Sequence, residues 1–258
     1  MAFTTDSHLV VSGSRGVLTL TLNRPDSLNS LTPELLDDVR RQLAKAENDP
    51  AVRCVVITGA GRSFSSGQAL GGKKLSTREV LEQHYNPLVT TIVEFDKPVI
   101  AAINGVAAGA AASLTLACDL RIMTDDARLI FLFTRVGLVA DAGATWFLPR
   151  LVGPATATEL FMLGRDVPAT EAVDMGLVHR AVPHDELDDV TTGLAEHLAS
   201  GPASIGLFKR QLRASASNTL EQQLAVEVDT QELATSTEDY QEGVAAFLDK
   251  RTARFTGR

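Results

Sequence analysis

The stretch KPVIAAINGVAAGAAASLTLAC (residues 97–118) decides the fold class, because it predicts a strand, a glycine-bearing turn and a helix in immediate succession. Its first part is apolar and β-branched, and its second part is rich in small residues. Two glycines and several polar residues make a membrane span the less natural interpretation of so apolar a run. We therefore expect a buried strand that leads directly into a buried helix.

The same alternation of strands and helices extends on both sides of this stretch. Upstream, GVLTLTLNRP (16–25) and VRCVVITG (52–59) predict strands, and Thr32 is the expected N-cap of a helix that begins at a proline between them. Downstream, DLRIMTDDARLIF (119–131) predicts further strand. Such repeated units predict an α/β fold in which helices pack on sheets.

Helical periodicity predicts the remaining elements. Residues 79–94 show helical periodicity and predict a helix, which we expect Pro87 to kink or break. After about Gly153 it recurs in ATATELFMLG, TEAVDMGL, 185–199, 202–217, 219–234 and 237–249. These C-terminal helices predict either a second small domain or a layer that contacts other subunits.

The composition limits the classes of function. The 258 residues are 45% hydrophobic, enough for a sizeable core, and the net charge of −8 argues against nonspecific nucleic-acid binding. Cys54 and Cys118 lie in apolar runs and predict buried thiols rather than a disulfide or a metal site. The first residues show no basic region followed by an apolar one, so we expect no signal peptide and a cytoplasmic location.

Two glycine-bearing turns, each after a strand, are candidates for binding an anionic oxygen. The first is FSSGQAL (64–70), and the second lies around Gly109 in INGVAAGAAAS. Backbone N–H groups at a helix N-terminus lack intrahelical acceptors, so one from each turn could converge on an oxyanion or enolate. Taken alone, each turn is more typical of tight packing, and neither matches a dinucleotide fingerprint or a P-loop.

The third candidate is Asp141 in GLVADAGATWFLPRLVG (137–153), just before a predicted helix. Its position favours the role of an N-cap, which would lower the pKa of the carboxylate. Its apolar neighbours permit the alternative of a desolvated carboxylate with a raised pKa. No histidine pairs with a Cys or another His at ligand spacing, so no metal site is expected, although His84 could line a pocket.

Together, FSSGQAL, INGVAAGAAASLTLACDL and GLVADAGATWFLPRLVG resemble the enoyl-CoA hydratase/isomerase (crotonase) superfamily. The similarity extends from about Gly16 to the C-terminus, through LNRPDSLNSL, ATELFMLGRDVPATEAVDMGLVHRAVP and EGVAAFLDKRTARFTG. The resemblance implies a crotonase-like spiral of β-β-α units over residues 1–198. Residues 199–258 are then a helical region that covers CoA and contacts neighbouring subunits in a trimer or a dimer of trimers.

The resemblance also implies which residues bind an acyl-CoA thioester. Its carbonyl would accept hydrogen bonds from the backbone N–H groups of Gln68 and Ala110, each of which follows a turn glycine. Coenzyme A is expected as part of the substrate, with no permanently bound cofactor, no nucleic acid and no membrane as partner. The positions expected to contact CoA are Arg24, Ser66, Gln68, Leu70, Phe247 and Lys250.

Departures from the family pattern decide the reaction that the resemblance implies. The two glutamates with which hydratases add water fall on Ser113 and Phe133, and neither side chain can transfer a proton as required. Asp141 stands where family isomerases carry a single acid–base aspartate. The implied reaction is a double-bond shift on 2-(1,2-epoxy-1,2-dihydrophenyl)acetyl-CoA or a 3-enoyl-CoA. Ala69 replaces the aspartate usual in isomerases of the ring epoxide, and the loop before YNPLV is shorter.

Three other functions stay open on the sequence alone. Hydration by a water held by Asp141 or His84 is the alternative within the family. A catalytically silent acyl-CoA-binding subunit would also lack the two glutamates. Dehalogenation with Asp141 as nucleophile would need an aromatic pocket, for which an aromatic content of 5% is low.

Overall fold

The computed structural model describes residues 8–69 and 75–258, which form two β-sheets surrounded by helices. The strands are β1 (Leu9–Ser14), β2 (Val17–Leu22), β3 (Cys54–Gly59), β4 (Ser63–Ser65), β5 (Val99–Ile103), β6 (Val106–Ala108), β7 (Leu120–Thr124), β8 (Arg128–Ile130), β9 (Asp166–Pro168) and β10 (Arg180–Val182). The helices are α1 (Pro33–Glu47), α2 (Thr77–Val80), α3 (Asn86–Glu94), α4 (Ala110–Ala117), α5 (Ala144–Val152), α6 (Pro154–Leu163), α7 (Ala169–Asp174), α8 (Leu187–Ala199), α9 (Ser204–Ser215), α10 (Leu220–Thr235) and α11 (Glu238–Asp249).

The larger sheet has six strands in the order β1-β2-β3-β5-β7-β10, and the smaller has four in the order β4-β6-β8-β9. In the larger sheet β1 and β2 form an antiparallel hairpin, and every other neighbouring pair is parallel. In the smaller sheet β4, β6 and β8 are parallel, whereas β9 is antiparallel to β8. Parallel neighbours need crossover connections, and the intervening helices provide them.

A strand–strand–helix unit repeats along the middle of the chain. β3, β5 and β7 lie in the larger sheet, and each is followed by a short strand of the smaller sheet, namely β4, β6 and β8. A helical segment leads back to the larger sheet after β4 and after β6. After β8, the helices α5 and α6 lead to β9 of the smaller sheet, and α7 then leads to β10 of the larger one. This repeat confirms the predicted crotonase-like spiral of β-β-α units.

In the stretch that predicted the fold class, residues 97–118, the expected strand and helix form as β5 and α4. A second short strand, β6, occupies part of the segment expected to be a turn. All eight residues of α4 are buried, which explains why small side chains dominate it: larger ones would not fit between the sheets and the other helices. None of the helices in the described ranges has the length and apolar composition needed to cross a lipid bilayer. Cys54 and Cys118 are buried free thiols, and burial raises the pKa of both to about 12.

The first helix forms as predicted. The side chain of Thr32 accepts a hydrogen bond from the N–H of Leu35 at 3.3 Å, and Pro33 occupies the first helical position. Both features satisfy or remove N–H groups that would otherwise lack partners. The apolar residues at helical spacing, Leu35, Leu36, Val39 and Leu43, are buried against the sheets.

A π-helical turn, Leu81–Tyr85, joins α2 to α3 in place of the kink expected at Pro87. The N–H of Asn86 donates to the carbonyl of Leu81, five residues back. A regular α-helix would press the proline ring against the carbonyl four residues before it, and the wider turn relieves that contact. The turn also directs two consecutive side chains inward: His84 is only 14% exposed, and Tyr85 is fully buried.

Two clusters of buried apolar side chains form the core, and neither contains a described residue after Ala199. The last three helices, α9, α10 and α11, instead expose large apolar side chains such as Phe208, Leu212 and Val228. A peripheral position of these helices agrees with the expected C-terminal region. The division of the chain at residue 198 stays a prediction.

Candidate active site

The first glycine-bearing turn is held in place by the segment around Leu31. The N–H of Leu31 donates to the carbonyl of Gly67 at 2.8 Å, and the N–H of Ala69 donates to the carbonyl of Leu31 at 2.9 Å. In this parallel bridge the backbone polar groups of Gln68 point away from Leu31. Within residues 8–69 and 75–258 the Gln68 N–H has no acceptor, so it is available to a ligand.

The second turn leaves open space beside an unsatisfied N–H. Gly109 has φ of +55° and ψ of −126°, a conformation that is open essentially to glycine alone. A Cβ added there would meet no atom within 4 Å. Ala110 begins α4, so its N–H has no intrahelical acceptor. No other described atom accepts that N–H either.

The two turns lie next to each other at one end of the smaller sheet. They follow β4 and β6, which are parallel neighbours. A Cβ added to Gly67, whose φ is +89°, would lie 2.6 Å from the carbonyl oxygen of Ala108 and 3.7 Å from the nitrogen of Ala110. The close approach requires glycine at this position. Two backbone donors on neighbouring segments are the arrangement that a thioester oxyanion needs.

Asp141 lies in a strained turn three residues before α5. Ala142 has φ of +49° and Gly143 has φ of +80°, and a left-handed alanine costs about 1 kcal/mol. Gly143 is the N-cap residue of α5, and no side chain caps this helix. The backbone carbonyl of Asp141, rather than its carboxylate, accepts the N–H of Ala144 at 3.0 Å. The N-cap interpretation of the Asp141 side chain is therefore wrong.

The Asp141 carboxylate points into the protein. Its Oδ1 is buried without a hydrogen-bond partner in the described part of the chain. Burial raises the pKa of Asp141 to about 6, and a hydrogen bond from its own backbone opposes the shift. A carboxyl group with a pKa close to neutrality is suited to both removing and returning a proton.

The turn that carries Asp141 packs on the helices that border the two glycine turns. A Cβ added to Gly143 would lie 3.5 Å from the side chain of Val89 in α3. The following helix, α5, packs against α4, whose first N–H belongs to Ala110. These contacts bring the carboxylate turn and the two donor turns to the same region of the molecule.

Neither position at which the resemblance places a hydratase glutamate carries a side chain that can transfer a proton in the required way. Ser113 is fully buried in α4, and its hydroxyl donates to the carbonyl of Gly109 at 3.3 Å. Phe133 is buried in the 3-10 helix Leu132–Val136 and presents an apolar ring. Of these three positions, only Asp141 supplies a carboxylate.

The structure adds Tyr85 to the site, which sequence analysis did not identify. The side chain is fully buried, and its hydroxyl lacks a partner among the residues described. Burial and then the nearby Asp141 carboxylate raise the pKa of this phenol above its usual range. Val89, four residues further along, contacts the same turn. The available signal was Pro87, because the π-turn that it favours directs Tyr85 inward.

The side chain of His84 contacts Asp37 of α1. Its Nδ1 lies 3.1 Å from Oδ2 of Asp37 in α1. The imidazole thus ties the π-helical turn to α1 through one nitrogen, and only Nε2 is left for a ligand or a water. A role of His84 in holding water stays a prediction.

Two of the residues expected to bind CoA lie in adjoining loops. Arg24 Nη1 donates to the hydroxyl of Ser30 at 3.0 Å, and the Ser66 hydroxyl donates to the carbonyl of Ser27 at 3.2 Å. Arg24 and Ser66 therefore border the same 3-10 helix, Pro25–Ser27. Leu70 lies outside the described residues.

Phe247 and Lys250 lie at the other end of the chain. Phe247 is 83% exposed on α11, and Lys250 ends that helix with φ of +55°. In the described ranges no hydrogen bond or ion pair joins this end of α11 to the loops of Arg24 and Ser66. The assignment of Phe247 and Lys250 to CoA binding stays a prediction. The assignments of Arg24, Ser66, Gln68 and Leu70 to CoA binding stay predictions too.

Comparisons with known proteins agree with this geometry. Residues 12–258 match the family described as enoyl-CoA hydratase/isomerase. A 1,2-epoxyphenylacetyl-CoA isomerase of Escherichia coli is 42% identical over 95% of this chain and 96% of its own length. A 2,3-dehydroadipyl-CoA hydratase of the same species is 35% identical over 98% of this chain and 100% of its own. The crystal structure of an enoyl-CoA hydratase from Bacillus anthracis matches with a TM-score of 0.93 at 32% identity, covering 98% of this chain and 100% of that one.

Proposed function

Because the chain belongs to the enoyl-CoA hydratase/isomerase family, we propose that it isomerises acyl-CoA thioesters by moving a double bond through an enolate. Enzymes of this family act as acyl-CoA isomerases or hydratases, and the proposal selects isomerisation. One observation carries that choice. Asp141 supplies a partly buried carboxylate whose Oδ1 has no partner among the described residues, whereas Ser113 and Phe133 stand where the resemblance places the two hydratase glutamates.

In the proposed reaction the thioester oxygen accepts hydrogen bonds from the N–H groups of Gln68 and Ala110. Asp141 removes a proton from the α-carbon, and the electron pair of that C–H bond forms the enolate. The γ-carbon then takes the proton back from Asp141, which leaves the double bond between the α- and β-carbons. One carboxylate suffices because the proton returns to the same molecule and no water is added. Each backbone donor is expected to contribute about 3 kcal/mol of transition-state stabilisation.

Two acyl groups are candidates for the substrate. With a 3-enoyl-CoA the shift gives the 2-enoyl isomer directly. With 2-(1,2-epoxy-1,2-dihydrophenyl)acetyl-CoA, loss of the α-proton is coupled to ring expansion toward an oxepin. The name of the 42% identical relative supports the second candidate. Ala69, at the edge of the first turn, replaces an acidic residue expected for that substrate.

A panel of CoA thioesters tests the proposal. Wild type, Asp141→Asn and the control Asp126→Asn, whose side chain is 68% exposed, are assayed with a 3-enoyl-CoA, the ring epoxide and crotonyl-CoA. We expect isomerisation by wild type and control, and a loss of at least about 100-fold in Asp141→Asn. Rapid hydration of crotonyl-CoA that survives Asp141→Asn would contradict the proposal. Tight binding with no turnover of any thioester would instead indicate a silent binding subunit.

Hydration is the second candidate, favoured by the hydratase relative at 35% identity. It would require a water held by Asp141 or by Nε2 of His84. The variant His84→Ala distinguishes hydration from isomerisation. It would abolish hydration by a water held at Nε2 of His84 but leave the double-bond shift at Asp141 nearly unchanged.

We also propose that the chain assembles as a trimer or a dimer of trimers, with the C-terminal helices at the contacts and over the bound CoA. Large exposed apolar side chains support this proposal, because a monomer rarely leaves so many in contact with water. They include Trp146, Phe208, Leu212, Leu224, Val228, Phe247 and Leu248. The cytoplasmic location stays a prediction from the sequence.

A further inference from the structure

The hydroxyl of Tyr85 is a buried hydrogen-bond donor that the double-bond shift does not use. The side chain is fully buried, and Oη has no hydrogen-bond partner among the described residues. Buried hydroxyl groups are nearly always paired, because an unpaired one has lost its hydrogen bonds to water without replacement. An unpaired buried donor near the Asp141 turn therefore points to an acceptor that the substrate brings.

The hydroxyl lies near the Asp141 turn but is not the hydrogen-bond partner of Asp141. Tyr85 precedes Val89 by four residues, and a Cβ added to Gly143, two residues after Asp141, would lie 3.5 Å from the Val89 side chain. Burial, and then the charge of Asp141, raises the pKa of the phenol, so it stays in the protonated, donating form. Oδ1 of Asp141 is itself unpartnered, so the two groups do not bond to each other. In the proposed function the acyl group gives up its α-proton to Asp141, so an acyl group bound there would also lie near this donor.

We propose that the Tyr85 hydroxyl donates a hydrogen bond to an oxygen atom in the acyl part of the substrate, so that the site selects oxygen-bearing acyl groups over plain 3-enoyl chains. The inference rests on the proposed isomerase function. A hydrocarbon chain offers no acceptor beyond the thioester, and its binding would leave the hydroxyl unpaired. A ring epoxide or a comparable cyclic ether carries the acceptor that fits.

The contribution of the hydrogen bond from Tyr85 is measured by removing only its hydroxyl, in the variant Tyr85→Phe. Wild type, Tyr85→Phe and the control Thr191→Val are compared by kcat/KM for the ring epoxide and for a 3-enoyl-CoA. Thr191 on α8 is also buried, and its hydroxyl has no partner among the described residues. We expect Tyr85→Phe to lose about tenfold on the epoxide and less than about threefold on the 3-enoyl-CoA, as for one hydrogen bond. Thr191→Val should lose little kcat/KM on either substrate.

Two results would overturn the inference. Equal losses on both substrates, with a displaced acid limb of the pH profile, would show that Tyr85 positions Asp141 instead of the substrate. No loss on the epoxide would show that the hydroxyl makes no contact with it.

A binding experiment separates failure of this inference from failure of the isomerase proposal. If wild type turns over none of the thioesters, the proposed function fails, yet the affinities of 2-methoxyphenylacetyl-CoA and its isosteric hydrocarbon 2-ethylphenylacetyl-CoA can still be compared. A preference of about tenfold for the ether that disappears in Tyr85→Phe would support the contact. Equal affinities in wild type would overturn it.

Discussion

At the scale of single residues, the proposed chemistry depends on how water is kept from Asp141. A strained turn directs the carboxylate inward, where burial raises its pKa to about 6. The group is therefore mostly ionised at neutral pH, so that it can accept a proton, and is also basic enough to hold one briefly.

The pH dependence of the reaction follows from this pKa. We expect kcat/KM for a 3-enoyl-CoA to be level above pH 7 and to fall about tenfold per unit below pH 6, because only the ionised carboxylate removes the α-proton. Initial rates from about pH 4.5 to 8 measure the profile. The control Asp126→Asn should reproduce it, and a rate that stays level down to pH 5 would contradict the assignment.

The same burial should make Asp141 costly to stability. The folded pKa lies above the ordinary value near 3.9, so the stabilising contribution of this group is complete below pH 4 and is lost as the pH rises through about 6. Asp141→Asn should therefore raise the free energy of unfolding at pH 7 by about 1 kcal/mol, after allowance for its partial exposure. The gain should shrink toward pH 4. Thermal unfolding at both pH values tests this, and a destabilised variant at pH 7 would refute it.

Single residues also show how far prediction from sequence reaches. The resemblance implied Gln68, Ala110 and Asp141, and the structure places their three turns on contacting elements. Their catalytic roles stay predictions. The N-cap preference of aspartate misled at position 141, because the backbone of Gly143 begins α5 instead. Tyr85 was missed, because its direction depends on a π-turn that side-chain periodicity does not reveal.

At the scale of elements, activity should be lost when Gly109, at the junction between β6 and α4, is replaced by any other residue. Gly109→Ala meets no atom, but its backbone conformation is barred to alanine, so the turn must change and the Ala110 N–H must reorient. We expect kcat to fall about 100-fold. KM and the melting temperature of the variant are measured as well, to distinguish a loss of catalysis from a loss of substrate binding or of stability.

Gly176→Ala is the matched control for Gly109→Ala. Gly176 has φ of +74°, and an added Cβ there also meets no atom within 4 Å, so the substitution should cost about 1 kcal/mol of stability without loss of kcat. Equal activity of the two variants would show that the Ala110 N–H does not take part in catalysis.

The long elements were predictable from sequence, and the short ones were not. Alternation and capping located β2, β3, β5, α1 and the C-terminal helices within a few residues. The strands β4, β6, β9 and β10 have only three residues each, too few for a periodic pattern to develop. Their existence depends on pairing with strands distant in sequence, which no local signal encodes.

At the scale of the whole molecule, the exposed apolar face of the C-terminal helices should drive assembly. We expect light scattering to give a mass of three or six chains of 27.5 kDa. Phe208 and Leu212 are 62% and 71% exposed on α9, so Phe208→Glu with Leu212→Glu should shift the mass toward a monomer if this face forms the contact. Lys45→Glu, an exposed position on α1, should leave the mass unchanged. A monomeric wild type would contradict the proposed assembly.

The architecture of the core was predictable because its motifs fall at the ends of the repeated strands. FSSG (64–67) and AAG (107–109) span the ends of β4 and β6, and the sheet brings these ends together. The role of the last 60 residues was less accessible, because many of their large apolar side chains are exposed and contact nothing among the described residues that would indicate their function. Phe247 and Lys250 belong to that region, and only an assembled particle with bound CoA can show what they contact.

Solvent deuterium exchange tests the central claim most directly, namely that Asp141 is the base that removes the α-proton of a CoA thioester held by two backbone N–H groups. A 3-enoyl-CoA is incubated in deuterium oxide with wild type, Asp126→Asn or Asp141→Asn, and deuterium at the α-carbon is followed by mass spectrometry. We expect exchange or isomerisation with the first two proteins and a loss of both, by at least about 100-fold, in Asp141→Asn. Undiminished α-carbon exchange in Asp141→Asn would contradict the account.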